Sequence, residues 1–298
     1  MQIKRAEFYG WVIPLSFIAC TAWVVWHLPV FILDFHPPQG KSDLDKLSAL
    51  INRGDILPGL PGLFGGYADI ADWTALFGIG LFFILGLKTV TPAPNEYKGE
   101  SQFDTLSMFI GRVTMMLIAI LVFVMMYEIV LRYGFNAATI WATELSLWFA
   151  GFVFLCAGLY TMQQRGHIRI FIVYDLFPRP LQHVCDVIST VLIVVFAAAL
   201  IYGGYGEAFA KFYRWETFGT AFDPPIPATL KPMVLIIVGL VAVQAVVNLI
   251  CDWNDAAVAH LAADDIDASE LEVLKKSVLA DRLGSDAQEK STPEPRAK

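Results

Sequence analysis

Six apolar runs of about 20 residues each, separated by more polar stretches, leave this chain few ways to fold. A helix rises 1.5 Å per residue, so about 20 apolar residues match the hydrocarbon thickness of a bilayer. The runs cover about residues 9–33, 70–87, 104–131, 141–162, 183–205 and 232–253. Inside a bilayer every backbone N–H and C=O must be paired within the protein, which leaves helices or a closed barrel. Barrel strands alternate over about ten residues; these runs are continuous, so the expectation is an all-α, polytopic membrane protein with about six transmembrane helices. Charged residues are 16% of the 298 and apolar ones 56%. A soluble domain is about a quarter charged. Disordered, disulfide-built, secreted and nucleic-acid-binding classes are thereby disfavoured.

The net charge of -7 is concentrated at one end: residues 252–298 carry 11 acidic and 6 basic side chains. The membrane body is nearly neutral, with no surface for nucleic acid. Cys20, Cys156, Cys185 and Cys251 lie in or beside apolar runs without a CxxC pair, as buried thiols do. Lys4 and Arg5 precede the first run, and the loop from Arg165 to Arg179 is basic apart from Asp175. Basic residues collect on the cytoplasmic side, so both termini are expected there.

The connections divide the chain. Residues 1–98 form a two-span N-terminal extension with an outer loop, residues 99–254 a four-span domain, and residues 255–298 an acidic tail. The tail's composition from about Gly284 is that of disorder. Thr91-Pro92-Ala93-Pro94-Asn95 marks the first boundary. In the outer loop, Ser42 with Asp45 three residues on has the form of a helix capping box. The segment from His167 to Phe177 is apolar but too short to span, as an interfacial helix is. Gly151 with Gly158, and Ala199 with Gly203, offer small faces for helix packing.

Charges at span ends are costly and need a reason. Glu128 and Arg132 stand four apart at the end of the third run, and Glu144 follows Trp141 at the start of the fourth. Joined by a short loop, they form one candidate cluster, either an ion relay or a paired lock on a helix hairpin or subunit interface. Six aromatics between Glu207 and Asp223, followed by Pro224, Pro225 and Pro227, form a second feature. One reading is an interfacial aromatic belt. The other is a rigid loop in which Lys211, Arg214, Trp215 and Glu216 dock a soluble partner. No phosphate loop, zinc motif or nucleophile constellation is present, so neither catalysis nor a cofactor is expected. His27 and His183 lie at opposite span ends, which disfavours haem held between helices. There are no paired broken helices of the kind that mark a self-sufficient secondary transporter.

At the polar cluster a resemblance becomes specific. Leu131-Arg132-Tyr133-Gly134-Phe135-Asn136, then Trp141-Ala142-Thr143-Glu144-Leu145, then Gly166-His167-Ile168-Arg169-Ile170, follow one another with the motifs of a known family. The stretch resembles DctQ, the small permease subunit of tripartite ATP-independent periplasmic (TRAP) transporters, over about residues 102–253. Leu145 stands where that family's pattern has a second acid, and the first two spans are additional to its four. The resemblance implies a scaffold subunit in a bacterial inner membrane, with no substrate site of its own. It implies two partners, a large permease subunit holding the substrate and Na⁺ sites and a periplasmic solute-binding protein. Together these would take up small organic acids on a Na⁺ gradient. His167 and Arg169 join Glu128, Arg132, Trp141 and Glu144 as candidate interface residues on that basis. The alternative is a membrane anchor subunit of a respiratory oxidoreductase.

Overall fold

A computed structural model describes residues 2–33, 39–51, 70–93, 96–97, 99, 101–166, 174 and 177–254. The helices are α1 (Gln2–Leu33), α2 (Asp43–Ile51), α3 (Ile70–Thr89), α4 (Gln102–Ile129), α5 (Trp141–Gln163), α6 (Arg179–Tyr213) and α7 (Ile226–Cys251). Six of them are long and apolar enough to cross a membrane. The protein is an all-helical, multi-pass membrane protein. The chain divides into two compact units, Met1–Ile168 with His183–Asn254, and Arg169–Gln182 with Asp255–Lys298. Within the second, Gln182 donates to the Tyr174 carbonyl (3.2 Å). The tail beyond Asn254 and residues 167–173 of the expected interfacial helix lie outside the described residues.

Two sequence expectations about helix ends need correction. The aromatics Phe209, Phe212 and Tyr213 belong to the last turns of α6, which runs 35 residues, rather than to a loop. At 1.5 Å per residue that is about 50 Å, well beyond the hydrocarbon. Similarly, Ile226–Pro232 is helical, and Pro227 sits in the first turn of α7. Proline reads as a loop signal, but in a helix's first turn its missing N–H had no partner to lose. Half of the capping box at Ser42 forms: the Asp45 N–H donates to Ser42 Oγ (3.3 Å), while the return bond joins the two side chains, Ser42 Oγ donating to Asp45 Oδ2 (2.8 Å).

In the first unit, α5 lies antiparallel to α4 and parallel to α7, and the α1–α3 hairpin packs on α4. Small residues set the closest approaches. The face of Gly86 on α3 is filled by the Phe109 ring of α4, and that of Gly111 on α4 by Tyr160 of α5. Gly151 meets Leu230 of α7, whereas Gly158 and Gly203 face open space and meet no described residue of this chain. Phe109 is 1% exposed and meets Phe17 (5.5 Å, 72°) and Phe83 (5.8 Å, 76°) edge-on. Edge-to-face geometry is preferred because ring edges are positive and ring faces negative. This trio joins the hairpin to α4. α6 is the exception: of its residues only Gln182, Ala197 and Ala208 are buried, while Ile188, Val195, Tyr202 and Phe209 are exposed.

Successive spans run in opposite directions, which creates two ends. At the proximal end α3 finishes and α4 begins; at the distal end α1 and α4 finish and α5 begins.

Candidate functional site

Most of the buried polar and charged side chains gather at the two ends; Thr114 and Ser146 lie further in. The proximal group is the more buried. Asp104 and Ser107 share one face of α4, while Gln244 and Asn248 share one face of α7. Gln244, fully buried, donates to Asp104 Oδ1 (2.7 Å) and Asn248 Oδ1 (2.8 Å) and accepts from Ser107 Oγ (2.8 Å). The other Asp104 oxygen accepts from the Ser101 N–H (3.1 Å), closing the α4 capping box. Asn248 then donates to the Met162 carbonyl at the end of α5 (2.7 Å). Three helices meet in one satisfied network, as buried polar groups in lipid require.

Arg165 closes this group from outside the spans. It follows the C-terminus of α5 with φ 58, a conformation usually left to glycine. Its guanidinium grips Asp252 with two hydrogen bonds (2.8 and 2.6 Å) and donates to Asn248 Oδ1 (2.8 Å). It also lies over the Tyr97 ring, 4.2 Å from the centroid. Burial disfavours the charged guanidinium, but the bonds and charge of Asp252 outweigh that and raise its pKa above the ordinary arginine value.

Beside it, Glu96 fastens the segment before α4. It accepts from Arg112 (2.5 Å), from the Tyr160 hydroxyl (2.6 Å) and from the Ala93 N–H (2.7 Å). Tyr97 adds a bond from its N–H to Gln164 (2.9 Å). Burial pushes the Glu96 carboxyl up; the bonds from Tyr160 and Ala93 and the Arg112 charge overcome this and hold it below the usual carboxylate range. A group with a lowered folded pKa stabilises above its unfolded value, and that stability is lost as pH falls through the folded one. The melting-temperature gap between the parent and Glu96→Gln is therefore expected to narrow between neutral pH and about pH 3. A gap that stays constant over that range would assign the clamp to shape alone.

At the distal end the sequence-derived cluster is partly assembled. Glu128, 3% exposed, accepts two bonds from Arg132 (3.0 and 2.5 Å) and one from the Thr139 N–H (3.1 Å), with a further bond from the Thr139 hydroxyl. The five residues Val130–Gly134 form a π-helical turn, and Asn136 reverses the chain with φ 54. Trp141 lies against Tyr127, 6.0 Å between centroids. Glu144 instead accepts from Thr220 (2.6 Å), in the loop between α6 and α7. His167 and Arg169 lie outside the described residues.

That loop is compact. Lys211 is ion-paired with Glu216, and Trp215 packs edge-on against Phe212 (5.8 Å, 72°). The Gly219 N–H donates to Asp223 (2.6 Å), the Phe218 N–H to the Pro224 carbonyl (3.0 Å), and Pro224 and Pro225 are buried. Of the four residues expected to dock a partner, only Arg214 is exposed; the other three shape the loop. The exposed run is residues 217–221, which the sequence did not single out.

Residues 121–255 match the family model of tripartite ATP-independent periplasmic transporters, DctQ component. That stretch, a little under half of the chain, is similar to the DctQ family. No curated protein and no solved structure matches the sequence. The match covers the second half of α4 and all of α5, α6 and α7. The DctQ segment contains Glu128, Arg132, Glu144, the α6–α7 loop, Arg165, Gln244 and Asn248. Asp104, Ser107, Glu96 and Tyr97, which complete the proximal network, lie upstream of the match.

The proximal network was missed in the sequence, although part of its signal was there. Asp104 with Ser107, and Gln244 with Asn248, are polar pairs at helical spacing in otherwise apolar runs. Glu96 and Tyr97 gave no signal, because an irregular segment has no period to read.

Proposed function

We propose that this chain is the scaffold subunit of a TRAP transporter for small organic acids, driven by a Na⁺ gradient. It works beside a large permease subunit and receives solute from a periplasmic binding protein. The observation that carries this reading is the DctQ match over residues 121–255. The polar groups support it by their placement. The charged groups sit at the two ends, largely paired within the chain, and the spans between them offer apolar surface. Such a body braces a moving partner rather than binding solute itself. α6, apolar on nearly every side and buried at few positions, supplies surface for lipid and for the large permease. In this reading both termini are cytoplasmic, in a bacterial inner membrane, and the distal end is periplasmic. The acidic tail and the α1–α3 extension are separate additions to the 99–254 domain.

The test is uptake of labelled dicarboxylates, keto acids and sugar acids into proteoliposomes, with and without a Na⁺ gradient. Uptake is expected only when this chain, the large permease and the binding protein are all present. Uptake by this chain alone would overturn the scaffold reading. Uptake by the other two without it would make the chain dispensable.

A further inference from the structure

The α6–α7 loop touches a part of the chain that is not DctQ. Trp26, in the last third of α1, stacks on Phe222 with centroids 5.4 Å apart and planes 22° from parallel. The stack connects the N-terminal extension to the distal loop. On the other side Glu144 holds Thr220 (2.6 Å), and beneath lie buried Pro224 and Pro225. Between these supports the run 217–221 is exposed, with Phe218 44% exposed at its tip and Arg214 exposed nearby. Lys211 and Glu216 are paired with each other, which leaves Arg214 as the exposed cation beside a tip held by the carboxylates of Glu144 and Asp223.

We propose that Trp26 is a positioning residue for docking of the soluble solute-binding protein, holding residues 217–221 in their docking pose through Phe222. The proposal rests on the transporter reading and adds a task for the two extra spans. The chemistry of the tip fits a protein partner. An exposed phenylalanine among small and hydroxylated residues, beside one cation, is a compact anchor with a polar rim. A membrane belt presents Tyr and Trp outward; Tyr202, Tyr205 and Tyr213 of α6 are exposed in that way, whereas the run 217–221 contains neither residue type. A loop held rigid before contact does not lose its freedom on docking, so its support acts on affinity and not on the transport step.

Removing one ring of a stacked pair weakens its support by an amount that corresponds to roughly a three- to tenfold change in affinity. Trp26→Ala in the complete three-part transporter should therefore raise the half-saturating concentration of its own binding protein about three- to tenfold. Maximal uptake at saturating binding protein should stay unchanged. Trp26→Phe should restore the parent value. Phe222→Ala should match Trp26→Ala, and the double variant should add nothing, as expected for two residues acting through one contact. An unchanged half-saturating concentration, or a fall in maximal uptake alone, would overturn the proposal.

A second measurement does not depend on transport. A nitroxide on Thr217→Cys, with Cys20, Cys156, Cys185 and Cys251 replaced by alanine, should report slow motion in the parent and Trp26→Phe. It should report fast motion in Trp26→Ala, and identical spectra in all three would sink the idea. If uptake by the parent does not saturate with any binding protein, the transporter reading itself fails and takes this one with it. If the parent saturates and Trp26→Ala does not differ, only the role of Trp26 fails.

Discussion

Gln244→Leu is expected to destabilise the protein in detergent by roughly 3–5 kcal/mol, the cost of stranding a buried charge. For a protein of this size that is a fall in melting temperature of about 10 °C. The hydrogen bonds themselves do not account for it. Gln244 makes three, to Asp104, Asn248 and Ser107. The two to α4 cross between helices, and such bonds average about 0.6 kcal/mol each in membranes, so their loss totals roughly 1 kcal/mol. The larger part comes from Asp104, which is 1% exposed and keeps only its capping bond to Ser101 once the amide is gone. Gln244→Glu separates the two contributions. It preserves shape but turns the donor facing Asp104 into a second carboxyl. Two carboxylates facing each other in one buried site repel, so Gln244→Glu should destabilise at least as much as Gln244→Leu. A Gln244→Leu protein that melts within about 2 °C of the parent would mean that the network contributes under 1 kcal/mol. It would then be a device of register rather than of stability.

The parts of this architecture that were legible in the sequence, and those that were not, divide along a physical line. The spans were legible because the bilayer imposes one length and one polarity on each. The ends were not, because the same residues serve helix and loop there. Phe209 to Tyr213 reads as an interfacial loop, and Ile226 to Pro232 as a proline-rich turn, yet both are helix. Local pairing was legible where one helix supplies both partners, as Glu128 and Arg132 do at a spacing of four. Pairing that crosses the fold was not. Thr139 completes the Glu128 site from across a π-helical turn, and Glu144 finds Thr220, 76 residues away. Trp26 and Phe222 are almost two hundred residues apart, and only the packing of α1 on the bundle brings them together.

Gly86→Leu is expected to loosen the N-terminal hairpin from the 101–254 bundle. A Cβ at Gly86 would fall within the Phe109 ring, and that ring is itself enclosed by Phe17 and Phe83. A flexible neighbour could swing aside; Phe109, 1% exposed, has nowhere to go without unpacking α1 or α3 from α4. Overpacking of this kind costs roughly 1–3 kcal/mol. The strain falls on the hairpin because Glu96 and Tyr97 anchor the chain just beyond it, on Arg112, Tyr160 and Gln164. Limited trypsin digestion should then cut at Lys88, exposed at the end of α3, faster than in the parent, while the 101–254 bundle survives. Phe109→Ala provides the control. Alone it leaves a cavity and costs roughly 3–5 kcal/mol, but combined with Gly86→Leu it makes room for the new side chain. The double variant should therefore be more stable than the two single losses summed, with a coupling of roughly 0.5–3 kcal/mol. Strict additivity would show that Gly86 and Phe109 are not one contact, and the hairpin's attachment would then rest on the Glu96 clamp alone.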